Sequence, residues 1–148
     1  MVNKYQPMTK VSKALLDKLN DAIAREMQVA IQYMWQHVQW GGVKGFVVHD
    51  ELKAIAIAEM KHAEKIAERL YYLGSIPTTK PTPIVVGTNL KEMIEKDIQD
   101  EANAITLYKE IIGMAMKEGD VTTAFIFKEI LEDEEDHHDT FTTLMEEA

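Results

Sequence analysis

The sequence predicts an all-α fold, an antiparallel four-helix bundle with a long crossover between the second and third helices. Four stretches carry apolar residues at helical spacing, and neither proline nor glycine interrupts the first of them. The connections are short, long and short, which makes the helices within each half antiparallel neighbours. The two halves also superpose at one constant offset, which carries Tyr33 onto Tyr108 and Ile23 onto Ile98. We therefore expect residues 1–148 to form a single domain built from two related helical hairpins.

The first predicted helix spans residues 13–40, after an arm at residues 1–10 that shows no periodicity. Ser12 is its expected N-cap. Three glycines then predict a short loop: Gly41, Gly42 and Gly45. The second helix is expected from about residue 46 to residue 73 and ends before Gly74, a glycine of the kind that commonly follows a helix.

Residues 75–89 contain three of the four prolines and break every periodicity, which predicts the long crossover. Either Thr88 or Asn89 caps the third helix, which continues to about residue 117. Residues 118–120 form a tight turn, and the fourth helix then runs almost to the end of the chain. The bundle therefore has its long connection between its two halves.

Two Glu-x-x-His segments place a carboxylate and an imidazole one helical turn apart on a single face. Each segment is preceded, at the same distance along the chain in both halves, by a lone glutamate that lies on an apolar stripe. The six residues are Glu26, Glu59, His62, Glu101, Glu134 and His137. Four buried carboxylates would be costly, but two divalent cations cancel their charge and each histidine adds a neutral nitrogen. The pattern predicts a two-metal site that takes iron, or alternatively manganese, rather than zinc.

Composition excludes several classes of function. The chain has no cysteine and a formal net charge of -9, so neither a thiolate metal site nor a basic nucleic-acid surface is expected. The start of the sequence lacks the apolar region of a secretory signal, and no uncharged apolar run long enough to cross a bilayer follows. We expect a soluble, cytoplasmic protein that binds neither nucleic acid nor membrane.

The chain resembles the ferritin-like di-iron carboxylate proteins, and within them it is most similar to bacterioferritin. The similar segments are EMQVAIQY at 26–33, EMKHAEKIAERLYYLGSIP at 59–77, DEANAITLY at 100–108 and ILEDEEDHHD at 130–139. The resemblance runs from Val11 onward and implies that the six residues are ferroxidase ligands for two iron ions per subunit, with Glu59 and Glu134 bridging them. It implies oxidation of Fe2+ by dioxygen or hydrogen peroxide for iron storage and detoxification. Rubrerythrins carry a further glutamate where this chain has Ala104.

Met60 follows Glu59 directly, so it points about 100° away from the metal-facing side of its helix. The resemblance implies that Met60 and its symmetry mate bind haem b at a two-fold subunit interface, and hence a homo-oligomer of at least two chains. A plain dimer contact would also explain an outward-facing methionine.

Bacterioferritins carry a fifth helix that this sequence, which stops shortly after His137, does not show. This departure argues against a 24-subunit shell with a large mineral core, and leaves a dimer, or a smaller or altered cage, as alternatives. The alternatives to a storage ferroxidase are a dimeric di-iron peroxidase or oxygen-scavenging protein, a haem-binding electron-transfer bundle, and a non-catalytic interaction bundle.

Two tyrosines, Tyr33 and Tyr108, lie two turns beyond the lone glutamates and face the same way. They are expected to hydrogen-bond ligand carboxylates or to donate an electron, with core packing as the alternative. The acidic run at residues 132–136, apart from Glu134, is interpreted as a solvated face together with His138.

Overall fold

The computed structural model describes residues 7–146, and these residues form four helices and no strand. The helices are α1 (Lys13–Gln39), α2 (Gly42–Tyr72), α3 (Leu90–Lys117) and α4 (Val121–Glu146). The predicted all-α four-helix bundle is confirmed. Residues 1–6 of the predicted arm and the last two residues lie outside the described part.

Helix ends follow the capping chemistry that the sequence predicts. The Ser12 side chain accepts a hydrogen bond from Leu15 N at 3.1 Å, and Asn89, rather than Thr88, caps α3 by accepting from Glu92 N at 3.0 Å. Gly74 follows α2 with a φ of 91°, a conformation that side chains disfavour.

The predicted loop at the end of α1 is wrong at Gly45, because α2 already begins at Gly42 and Gly45 is buried within it. A Cβ added at Gly45 would lie 1.6 Å from Trp40 Cδ1. Gly45 is therefore needed for close contact with an indole ring rather than for a turn. Periodicity alone does not separate these two uses of glycine.

The crossover fixes the direction of α3. It first contacts Asn20, which accepts from Thr78 N at 2.8 Å, then Ala24, whose carbonyl accepts from Thr82 N at 3.0 Å. It reaches the far end of α1 where Gln36 donates to the Val86 carbonyl at 3.0 Å. Because the crossover runs the length of α1, α3 starts beside the beginning of α2 and runs antiparallel to α1.

Beneath the crossover, hydrogen bonds between polar side chains join α1 to α3. Gln32 and Gln36 donate to Asp97 Oδ1 at 3.0 and 2.8 Å, and Gln32 also donates to Asp100 Oδ2 at 2.8 Å. Burial raises the pKa of Asp97 well above its usual range, although the two amide donors oppose that shift.

Two apolar clusters fill the bundle on either side of a central polar layer. One cluster includes Leu15, Leu19, Ile66 and Phe127, and the other includes Leu52, Ile94 and Phe141. The layer between them contains the six candidate ligands. Within residues 7–146, no helix is both long enough and apolar enough to span a bilayer.

Candidate metal centre

All six predicted ligands meet in the middle of the bundle. The hairpin α1–α2 supplies three of them, the hairpin α3–α4 supplies the other three, and every one is buried. The four glutamates have no exposed surface at all, with 0% relative accessibility, and the two histidines have 7%. Helical phase explains this convergence, because each residue continues the apolar stripe of its helix.

The ligands form two overlapping groups of four. In each group, one ligand atom per residue can be chosen so that all four atoms lie within 4.8 Å of one another. The first group is Glu26, Glu59, His62 and Glu134, and the second is Glu59, Glu101, Glu134 and His137. Glu59 and Glu134 belong to both groups, so two cations held by these groups would share both carboxylates.

Both imidazoles turn Nδ1 toward the carboxylates. His62 Nδ1 lies 3.0 Å from both Glu59 Oε2 and Glu134 Oε1, and His137 Nδ1 lies 3.1 Å from Glu59 Oε1. The ring centroids are 6.1 Å apart. One nitrogen on each side of the layer is thus aimed at the shared carboxylates.

Three buried carboxylate oxygens of the candidate ligands are suited to a cation. Glu26 Oε2, Glu101 Oε2 and Glu134 Oε1 have no aligned hydrogen-bond donor among the described residues. Buried acceptors are normally paired, so their free lone pairs, set among oxygen and imidazole nitrogen donors, suit divalent iron or manganese. The residues present therefore fit a two-metal centre.

In the absence of metal, the pKa values of the four glutamates are shifted in different directions. Burial, reinforced by the other three glutamates, raises the pKa of Glu59 well above its usual range. Burial also raises the pKa of Glu101 to about 7, against the pull of Arg25. Despite burial, Arg25 and His62 hold the pKa values of Glu26 and Glu134 below the usual range. The two shared carboxylates thus differ, with Glu59 favouring protonation and Glu134 ionisation.

His62 is cationic when the centre holds no metal. Burial opposes its charge, but contacts with Glu134 and Glu26 outweigh burial and raise the pKa of His62 to about 11. A histidine that binds a metal must be neutral, so the arrival of a cation requires this proton to leave.

Arg25 is a member of the centre that the sequence interpretation missed. Its guanidinium is 7% exposed and lies among the four glutamates. From sequence alone, a charged residue next to a candidate ligand is usually placed on the solvated face. The burial of Arg25 could have been predicted from spacing, because Arg25 lies about one helical turn after Ala22 and one turn before Val29, which are both buried.

Both tyrosines bond ligand carboxylates across the bundle. The Tyr33 hydroxyl on α1 donates to Glu101 Oε1 on α3 at 2.7 Å, and the Tyr108 hydroxyl on α3 donates to Glu26 Oε1 on α1. Burial raises the pKa of both phenols further above their usual range, so both stay protonated. Each tyrosine therefore holds the lone glutamate of the opposite hairpin, not the one on its own helix.

Asp133 lies on the solvated face, as predicted, with 58% of its side chain exposed, but it also contacts a candidate ligand. Asp133 Oδ2 lies 2.8 Å from His62 Nε2, the nitrogen that faces away from the centre. His137 has no such carboxylate among the described residues, since the repeat places Ala58 where Asp133 stands in the other half. The two histidines, equivalent by motif, are therefore held differently. Glu132, Glu135 and Asp136 are exposed, as predicted.

Met60 lies on the flank of α2, away from the six ligands, and is 53% exposed. It borders an open apolar groove of about 410 Å³ between α1 and α2. The lining includes Ile31, Met34, Trp35 and Ile57. The structure thus separates Met60 from the centre, as its position next to Glu59 predicts.

Known proteins share this arrangement of helices. The family model Ferritin, described as the ferritin-like domain, matches residues 16–148, a segment that contains all six ligands. A bacterioferritin from Desulfovibrio desulfuricans is 36% identical over 124 residues, which cover 83% of this chain and 69% of that protein. A bacterioferritin from Brucella melitensis is 31% identical over 137 residues, covering 89% of this chain and 83% of that protein.

A solved structure shows the same fold. A ferritin-like, diiron-carboxylate protein from Bacillus anthracis superposes with a TM-score of 0.87 at 25% identity. The match covers 90% of this chain and 96% of the other. Sequence and backbone therefore point to the same group of proteins.

Proposed function

The chain belongs to the ferritin-like family, and from this premise we propose that it is a di-iron ferroxidase serving iron storage and detoxification. The observation that carries the proposal is the pair of overlapping ligand groups, which share Glu59 and Glu134. Relatives named bacterioferritin and a neighbour named as a diiron-carboxylate protein support the choice of iron over other metals. Manganese, which accepts the same oxygen and nitrogen donors, is the alternative ion.

The two overlapping ligand groups support two ions per chain. Two Fe2+ ions would bring four positive charges to the four carboxylates, to which Arg25 already adds one, and each ion would receive one imidazole nitrogen. Bound there, each Fe2+ supplies one electron to the oxidant. Dioxygen then takes up two electrons and two protons to give hydrogen peroxide, or hydrogen peroxide takes up the same number to give two water molecules.

The protein's own groups prepare the centre for this exchange. Tyr108 and Tyr33 each hold one oxygen of a lone glutamate, which leaves Oε2 of Glu26 and of Glu101 for a cation. The apolar clusters above and below keep bulk water from the layer. Asp133 holds His62 by its outer nitrogen, so Nδ1 stays directed inward.

Rapid oxidation of added Fe2+ tests the proposal. We expect the wild type to oxidise two Fe2+ per chain in a fast phase that His137→Ala loses by about tenfold or more. Stopped-flow absorbance measures this phase with dioxygen or hydrogen peroxide as oxidant. His138→Ala is the matched control, because His138 also follows a glutamate by one helical turn but lies off the buried face. An unchanged fast phase in His137→Ala would show that the centre is wrongly assigned.

The role of the centre depends on how the subunits assemble. A cage would store Fe3+ as mineral, whereas a dimer would use the same centre as a peroxidase or oxygen scavenger. We propose a homo-oligomer of at least two chains, which light scattering resolves. A mass of hundreds of kDa supports storage, and a mass near two subunits supports the alternative.

A second function is favoured by the groove beside Met60. We propose haem b binding there, with the exposed Met60 thioether as iron ligand and the apolar lining against the macrocycle. A haem-binding electron-transfer role would follow. After expression with added haem, we expect a Soret band that Met60→Ala removes while Met8→Ala, which changes another exposed methionine, retains it. Wild-type protein without a Soret band would rule this function out.

A further inference from the structure

The Arg25 guanidinium touches every glutamate of the centre. Its Nη1 lies 2.6 Å from Glu134 Oε2, 3.4 Å from Glu26 Oε2 and 3.9 Å from Glu59 Oε2. Its Nη2 lies 3.2 Å from Glu101 Oε2. One fixed positive charge is therefore shared by all four carboxylates that the proposed di-iron site would use.

The position of Arg25 is fixed from outside the carboxylate layer as well. Nη2 also donates to the Asp100 carbonyl at 3.3 Å, and the guanidinium carbon lies 6.0 Å from the centre of the Tyr108 ring. Both contacts come from α3, across the bundle from α1. The guanidinium is thus held by contacts from α3 as well as by the carboxylates.

The charge of Arg25 stabilises the centre without metal and destabilises the centre with metal. Without metal, those of the four buried carboxylates that are ionised repel one another, and a guanidinium among them relieves that repulsion. With metal, the same guanidinium lies beside two cations and repels them. It also donates a hydrogen bond to Glu134 Oε2 and so occupies a lone pair that an ion would otherwise take. An arginine cannot escape this conflict by losing its proton.

We propose that Arg25 is a built-in counter-cation that stabilises the metal-free centre and weakens its hold on divalent cations. The inference rests on the proposed di-metal function and deepens it. A centre whose empty form is stabilised in this way releases its ions more readily. Such a centre is suited to iron that is bound and released as a substrate rather than to iron that is retained as a permanent cofactor.

Arg25→Gln separates this role from a purely structural one, because two readouts must move in opposite directions. Metal-free Arg25→Gln should unfold at a lower temperature than the wild type, while its affinity for Co2+ should rise by about tenfold or more. Chelator-treated protein is measured by thermal unfolding and by titration of the Co2+ absorption bands. A structural arginine would lower both stability and affinity.

Arg69→Gln is the matched control. Arg69 is also largely buried, and it pairs with Asp120 at 2.6 Å in the α3–α4 turn, outside the centre. Its loss should lower the unfolding temperature and leave Co2+ affinity unchanged. Should Arg25→Gln not fold without metal, Arg25→Lys provides the measurement, because it retains the charge and should bind Co2+ like the wild type.

The outcomes are distinct. If the wild type binds no Co2+, the proposed function fails. If the wild type binds two Co2+ and folded Arg25→Gln binds them no more tightly, this inference alone is overturned. Co2+ binding by Arg25→Lys that is tenfold tighter than that of the wild type would also overturn it, since the charge would still be present.

Discussion

A Glu59→Gln protein should resist heat better than the wild type when both are free of metal, and should fail to hold two cations. Burial and three neighbouring glutamates raise the pKa of Glu59, so ionising it costs folding free energy. A raised pKa in the folded state means that this contribution to stability is present at acidic pH and is lost as the pH rises through the folded-state pKa. Glutamine, which never ionises, avoids the loss.

The stability gain should therefore depend on pH. At pH 8 we expect metal-free Glu59→Gln to gain on the order of 1 kcal/mol, with the difference shrinking toward pH 4. Thermal unfolding of chelator-treated protein across this range measures it. A wild type that is as stable as the variant at pH 8 would contradict the assignment of Glu59 as the costly carboxylate.

The same substitution should damage both cation positions, because Glu59 belongs to both ligand groups. We expect bound Co2+ to fall from two ions per chain to fewer than one, as metal analysis after gel filtration would show. Glu135→Gln makes the same chemical change at an exposed position on α4 and should leave both ions in place. Two tightly bound ions in Glu59→Gln would exclude Glu59 as a shared ligand.

Asp133→Ala should weaken one cation position and spare the other. Asp133 holds the outer nitrogen of His62 at 2.8 Å, and the loss of such a partner typically lowers metal affinity by about 10- to 100-fold. His137 is not held by a carboxylate at its outer nitrogen among the described residues, so its position should keep its affinity. A Co2+ titration should therefore separate into a strong and a weak step.

The exposed Asp136 provides the control for this experiment. Asp136→Ala removes the same charge from the same helix without a contact to either imidazole. Its titration should match that of the wild type. Equal weakening of both positions by Asp133→Ala would mean that the aspartate acts through long-range charge rather than by orienting His62.

The helices and the burial of the six candidate ligands could be predicted because both depend on periodicity. A stripe of apolar residues fixes which face of a helix is buried, and glutamates within that stripe must be buried with it. The internal repeat places Glu59 on Glu134. It thereby distinguishes the two Glu-x-x-His segments from a third one, at Glu135 and His138, that has no counterpart in the first half. The position of a residue in the helical repeat therefore predicts its burial without knowledge of how the helices pack.

What the sequence did not reveal depends on contacts between elements. The sequence predicts a loop at Gly45, because only the Trp40 ring beside it in the structure explains the missing side chain. The contacts of Arg25 and Asp133 with the centre could not be predicted. A charged residue beside an apolar stripe is expected to be exposed to solvent unless a neighbouring helix supplies partners. The Tyr33 hydroxyl donates to Glu101 of the opposite hairpin. This contact depends on how the two hairpins dock and not on spacing along one helix.

The division of ligands between the hairpins has a consequence for the order of folding. Each cation position draws three ligands from one hairpin and one from the other, through Glu134 or Glu59. Neither hairpin alone contains a complete group, so tight binding must await their docking. An ion bound in either group would therefore hold the two hairpins together. A chain that unfolds should lose such an ion by the time its two hairpins have separated.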